Sequence, residues 1–125
     1  MRLQCEVTMV KVSIYFPNMP GSHFDVDYYT NVHMPLVMKS LVSAVRAVSV
    51  EIGVSGAKVE QPPPFRAVAA FTCESVKAFS EAFLPHAAEL KGDIPNYTDI
   101  EPVIQVSQVS ELRVSPLVHA ETISG

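Results

Sequence analysis

Two phenols, a carboxylate, an amide and an imidazole crowd into one short stretch, Asp27-Tyr28-Tyr29-Thr30-Asn31-Val32-His33-Met34-Pro35-Leu36-Val37. An imidazole gives or takes a proton near neutral pH, and a neighbouring phenol or amide fixes which ring nitrogen carries it. His33 is therefore the candidate catalytic acid or base, with Tyr28, Tyr29 and Asn31 able to orient a carbonyl or phenol substrate. The competing reading is a buried histidine bonded to a backbone carbonyl. That carbonyl would be Asn31's, because Pro35 has no N–H to offer it and its ring crowds it.

A second group lies far along the chain, Asp93-Ile94-Pro95-Asn96-Tyr97-Thr98. Asp93 and Tyr97 are candidate substrate-binding residues. The simpler reading of Asp93 is a side chain that closes a turn through backbone N–H groups. His86, three residues after Phe83, falls on the apolar side of a helical pattern. It is a candidate cavity-lining base, or a metal or haem ligand, or simply a packed core histidine. His23 and His119 read as loop and tail residues. No HxxxH, HExxH or clustered Cys/His spacing occurs, so no metal site is expected. A Gly-rich phosphate loop and a GxSxG elbow are both missing, so nucleotide binding and serine hydrolysis lack support; no cofactor is expected. Cys73 has no histidine matched to it in sequence, and a buried thiol is usually inert.

These residues need a scaffold. Residues 9–16 alternate Val10, Val12, Ile14 and Phe16 with Lys11, Ser13 and Tyr15, which is the period of a half-buried strand. The turn formers from Pro17 to Ser22 follow, and Ser22 or Asp25 can cap a helix over residues 24–41. In that helix Phe24, Tyr28, Val32 and Leu36 form an apolar row, with His33 at its edge and a bend or restart at Pro35. Residues 45–54 read as a second strand, with Val48, Val50, Ile52 and Val54 on one face and Val45, Ala47, Ser49 and Glu51 on the other. The triple proline at 62–64 marks an exposed loop, and residues 65–72 are a third strand. Ser75 caps a second helix, Val76 to Leu90, which Pro85 kinks and Gly92 ends. A fourth strand covers residues 100–109, with Pro102 at an edge or bulge.

The order βαββαβ is that of an α+β, ferredoxin-like fold, a four-stranded antiparallel sheet with two helices on one face. The other face, expected to include Tyr15, Val45, Ala47, Val103 and Val109, is too apolar for water and too polar for a core. A homodimer pairing sheet to sheet resolves this. Residues 1–8 read as a lead-in, 9–109 as the domain and 110–125 as a tail. With 48% hydrophobic and 18% charged residues over 125 positions, one globular core is expected. The net charge of −4, with no basic run, argues against nucleic acid as a partner. Two cysteines make no disulfide framework, which fits a reducing cytoplasm. No apolar run approaches the roughly 20 residues that cross a bilayer, so no membrane is expected.

The Tyr-Tyr-x-x-x-His-x-Pro-Leu-Val segment at 28–37 and the Asp-Ile-Pro-Asn-Tyr-Thr segment at 93–98 resemble the EthD family, named for ethyl tert-butyl ether degradation. The resemblance spans residues 9–109. It implies the dimeric α/β-barrel superfamily, in which ferredoxin-like subunits pair through their sheets. Similar barrels carry isomerases, cyclases, cofactor-free monooxygenases and haem-degrading enzymes, so the fold alone does not select a chemistry. The expectation is a small protein of degradative or secondary metabolism that transforms a small hydrophobic oxygenated or aromatic compound by proton transfer at His33. Isomerisation, dehydration and cofactor-free oxygenation remain open, and an oxidoreductase association comes from the family name alone. The alternative is a non-catalytic ligand-binding or accessory dimer supporting a partner oxygenase, and a haem enzyme is a third reading.

Overall fold

The structure is a computed structural model, and it describes residues 4–113. Four antiparallel strands form one sheet in the order β2-β3-β1-β4: β1 is Gln4–Pro17, β2 Val45–Ile52, β3 Phe65–Cys73 and β4 Val103–Arg113. This is the expected ferredoxin-like α+β arrangement. Alternation sets the faces. Val12, Phe16, Ala67, Ala69, Phe71 and Cys73 point into the core, while Lys11 and Tyr15 take the opposite side between them.

The outer pair, β1 with β4, runs further than the alternation predicts. Gln4 pairs with Arg113 and Cys5 with Leu112, so residues 4–8 and 110–113, expected as lead-in and tail, extend the strands. An extra residue on β1 between Cys5 and Thr8 shifts the register. Such a bulge breaks the period of two and hides the strand from a pattern search. The remaining tail, 114–125, with His119, lies outside the described residues. At the other end of β4 the ladder begins at Val103, not at residue 100, because Pro102 has no N–H to contribute. A second register shift, at Arg46 between Val45 and Ala47, turns Val45 inward against the core instead of onto the open face.

The first helix has three parts: an α-turn Val26–Tyr28, a π-turn Tyr29–His33 and an α-segment Met34–Leu41. Asp25 caps it, accepting from the Tyr28 N–H at 3.0 Å. Pro35 can offer no N–H to Asn31, and the turn ahead of it widens until the Met34 N–H reaches the Tyr29 carbonyl, five residues back. The buried row is Tyr29, His33, Val37 and Leu41, not the expected Tyr28, Val32 and Leu36 row: Val32 is 48% exposed, His33 only 6%. The helix is rotated by about one position. A hydrophobicity count sets His33 against burial, but an imidazole with a partner can occupy the centre of the stripe.

The second helix is likewise broken, into Val76–Phe83, a 3₁₀ turn Leu84–His86 at Pro85, and Ala87–Gly92. Ser75 caps it, accepting from the Ala78 N–H at 3.0 Å. A further 3₁₀ turn, Ile94–Asn96, leads toward β4. Between β2 and β3, Gly53 donates its N–H to the Arg66 carbonyl at 3.0 Å, and a Cβ at that position would fall onto the Phe65 carbonyl oxygen and the Pro63 ring. Gly53→Ala is therefore expected to lower stability by about 1–3 kcal/mol, read from denaturant unfolding; an unchanged midpoint would show that this loop yields freely.

Candidate functional site

The two chemistry-bearing stretches are sewn together. Phe24 and Thr98 form an isolated antiparallel bridge, the Asp25 N–H donates to the Tyr97 carbonyl at 2.8 Å, and the Thr98 hydroxyl donates to the His23 carbonyl at 2.6 Å. Below this seam Phe16, Phe24, Tyr29 and Tyr97 pack ring against ring, with centroids 4.9 to 6.0 Å apart. Edge-on and tilted aromatic contacts of this kind add directional stability to area burial. His33 completes the cluster, 4.6 Å from the Tyr97 ring and 5.5 Å from Tyr29.

Behind the imidazole stands Asp93. Its Oδ2 lies 2.8 Å from His33 Nδ1, while Oδ1 accepts from the Tyr28 hydroxyl at 2.7 Å and from Asn96 Nδ2 at 2.9 Å. Asp93 does not close its turn through backbone N–H groups in these contacts; the carboxylate gathers three side-chain donors instead. Burial works against its charge, yet the hydrogen bonds from Asn96, His33 and Tyr28 prevail and hold its carboxyl below the ordinary value of 3.8. The hydrogen bond to this carboxylate, with burial behind it, in turn pushes the Tyr28 phenol up. An ionised carboxylate only accepts, so the His33 proton facing it sits on Nδ1, and in the neutral ring Nε2 is the nitrogen with the lone pair.

Nε2 faces the other way, with the Tyr97 hydroxyl 3.5 Å off, long for an O–H···N bond. On that side is a cavity of about 340 Å³ between the helices and the sheet. Its walls include Ile14, Phe71, Phe79, Phe83 and Ile104 beside His33, Tyr29 and Tyr97. The size and apolar character suit a small organic molecule. The interruptions at Pro35 and Pro85 fall in the two helices whose residues line this space.

The candidate residues divide accordingly. His33, Tyr29 and Tyr97 line the cavity, whereas Tyr28 and Asp93 do not and stand behind the imidazole. Asn31 is exposed, two residues from His33 and hence on the far side of the helix. His86 is exposed as well; its backbone leaves the helical region (φ −113°, ψ 5°), so the helical phase carried from Phe83 is lost there. Lys91 and Glu101 reach the cavity too, and the sequence holds no signal for them, because single charges near a helix end or a strand start read as solvated surface. Asn96 could be found, as the polar residue three after Asp93. Among the described residues no group of His, Cys, Asp and Glu could hold a metal ion, and no helix is long and apolar enough to cross a membrane. Cys73 is a buried free thiol, pushed up by that burial.

Comparison with known proteins agrees with this architecture. The EthD domain model matches residues 22–101, which include both segments of the site. A crystal structure of an EthD-like protein from Ralstonia eutropha JMP134 is 45% identical, covers 79% of this chain and 89% of its own, and superposes with a TM-score of 0.76. An EthD family protein from Bacillus halodurans C-125 (14% identity, 79% and 96% covered, TM-score 0.57) shares the fold. So does a protein of Arabidopsis thaliana (17% identity, 85% and 98% covered, TM-score 0.54). No curated protein matches the chain.

The lowered pKa of Asp93 has a consequence for stability. A carboxyl held below its unfolded-state value contributes stability above that value and loses it as pH falls through the folded one. The melting-temperature gap between wild type and Asp93→Asn is expected to be widest above about pH 5 and to close on acidification below the ordinary carboxylate range. A gap independent of pH would mean that the charge of Asp93 contributes nothing to the folded state.

Proposed function

The chain belongs to the EthD family, and we propose that it binds a small hydrophobic, oxygenated or aromatic compound and moves a proton on it at His33. One observation carries this reading: an imidazole whose Nδ1 is held by a carboxylate at 2.8 Å and whose Nε2 side opens on an apolar cavity. Asp93 fixes the tautomer that has a basic Nε2 and stabilises the imidazolium formed when that nitrogen takes a proton. Tyr28 and Asn96 hold the carboxylate in place. Return of the proton to another atom completes an isomerisation, and its delivery to a leaving hydroxyl a dehydration. Cofactor-free oxygenation would share the first step, with dioxygen as second reactant. The same reading takes the compartment as the reducing cytoplasm, in keeping with the free thiol of Cys73.

We propose also that the active form is a homodimer joined through the open sheet face. Val103 there is 55% exposed, and Tyr15, Val68 and Val109 are only half-buried, among Ser49, Glu51 and Gln105. Covering such a mixed face is a common reason for symmetric pairing. Sedimentation should give about twice 13.7 kDa; a monodisperse monomer at micromolar concentration would remove this part of the proposal.

The catalytic part is tested on folded variants, with phenols, quinones, lactones and ketones as the substrate screen. His33→Ala and His33→Gln should each lose roughly 10²–10⁴-fold in turnover, since neither amide nor methyl can shuttle a proton. Full turnover in a folded His33→Ala protein would reject the assignment. The rival reading, a non-catalytic accessory dimer, predicts no turnover in the wild type and ligand affinity retained in His33→Gln.

A further inference from the structure

Three polar side chains share the end of the cavity at His33, and two of them are accounted for. His33 is held by Asp93, and the Tyr97 hydroxyl has at least a long contact, 3.5 Å, with Nε2. Tyr29 is different. It is 2% exposed, its ring stacks on the imidazole at an interplanar angle of 17°, and it lines the cavity, yet its hydroxyl has no hydrogen-bond partner among the described residues. No fully enclosed polar side-chain atom among those residues lacks a partner, so the Tyr29 oxygen opens onto the cavity space. A buried hydroxyl left unpaired on a protein wall is costly unless something in the cavity accepts its proton.

The chemistry of that acceptor follows from its surroundings. Burial keeps Tyr29 protonated, and burial together with the neighbouring Tyr29 and Asp93 does the same for Tyr97, so both phenols are neutral donors. Neutral donors close to an ionised Asp93 do not suit a ligand oxygen that arrives already charged. They suit an oxygen on which charge develops during the reaction.

We propose that Tyr29 donates its hydroxyl to the carbonyl oxygen of an enolisable ketone bound in the cavity, while His33 acts as base on the carbon beside that carbonyl. The proposal rests on the proton-transfer reading of His33. In the step, Nε2 takes the α-proton, the C–H electron pair becomes the new C=C bond, and the C=O π pair moves onto oxygen as an enolate bonded to Tyr29. The proton then returns from Nε2, on the same face, to a different carbon of the extended enolate that an unsaturated ketone gives. The product is an isomer, and no oxidant or reductant is consumed.

Tyr29→Phe separates this role from a structural one, because among the described residues the hydroxyl makes no hydrogen bond whose loss would unfold the chain. The probe is 4-nitrophenol, kept un-ionised by a buffer below its own pKa so that it arrives neutral; its oxygen, once the proton is lost to His33, mimics an enolate, and its absorbance reports that ionisation. Wild type should bind it saturably with the absorbance of the nitrophenolate. Tyr29→Phe should keep the wild-type melting temperature and bind it at least about tenfold more weakly, the loss expected for one hydrogen bond to a charged oxygen. Equal affinity in Tyr29→Phe, no saturable binding by the wild type, or a sharply lowered melting temperature in the variant would each overturn the proposal. The proton-transfer reading fails separately: if the probe binds the wild type un-ionised while Tyr29→Phe still weakens it, the Tyr29 donor stands and the His33 base does not.

Discussion

The Asp93 carboxylate is the group on which the arrangement turns. It is a charge with little access to water, its side chain 13% exposed, and such a charge is tolerated only when donors surround it. Each donor comes from a position that the fold must deliver: Tyr28 and His33 from the first helix, Asn96 from the 3₁₀ turn after the second. Satisfying the carboxylate therefore holds the two halves of the chain together, and the bridge between Phe24 and Thr98 does so from the other side. One ion with its donors both orients the imidazole and ties down the elements that carry it.

The cavity is the complement of that rigidity. A ferredoxin-like subunit normally fills the space between helices and sheet, and here the filling stops at a void of about 340 Å³. Broken helices explain how. The π-turn ahead of Pro35 puts His33 inside the stripe, and the 3₁₀ turn at Pro85 interrupts the second helix just after Phe79 and Phe83, which line the cavity. His33, Tyr29 and Tyr97 meet in one cluster, and apart from Lys91 and Glu101 the remaining walls are mainly apolar, which strengthens short-range electrostatics there.

Much of this was legible from the residues. Alternation in β1, the caps at Asp25 and Ser75, the two prolines as breaks and the motifs around His33 and Asp93 all carry local physical causes that a sequence displays. What was hidden depends on changes of phase. A bulge between Cys5 and Thr8 conceals the start of β1, and a register shift at Arg46 moves Val45 to the core. The wheel places Val32 inward where the π-turn and the pairing of His33 with Asp93 select the Tyr29 row. His86 turns outward because the helix is interrupted at that residue, and Asp93 reads as a turn former because its partners lie 60 and 65 residues away. Long-range satisfaction of a charge leaves no trace in a window of ten residues.

The central claim, that Asp93 fixes the His33 tautomer with Nε2 free toward the cavity, is open to direct observation. Nitrogen-15 NMR on protein labelled in its histidines distinguishes a protonated from an unprotonated ring nitrogen through their shifts and couplings to the ring protons. At a pH where the His33 ring is neutral, the account predicts a proton on Nδ1, slow to exchange and strongly downfield, and a bare Nε2. Replacing Asp93 with Asn should collapse that downfield signal. A neutral ring protonated on Nε2, or one averaging between the two forms as free histidine does, would contradict the account.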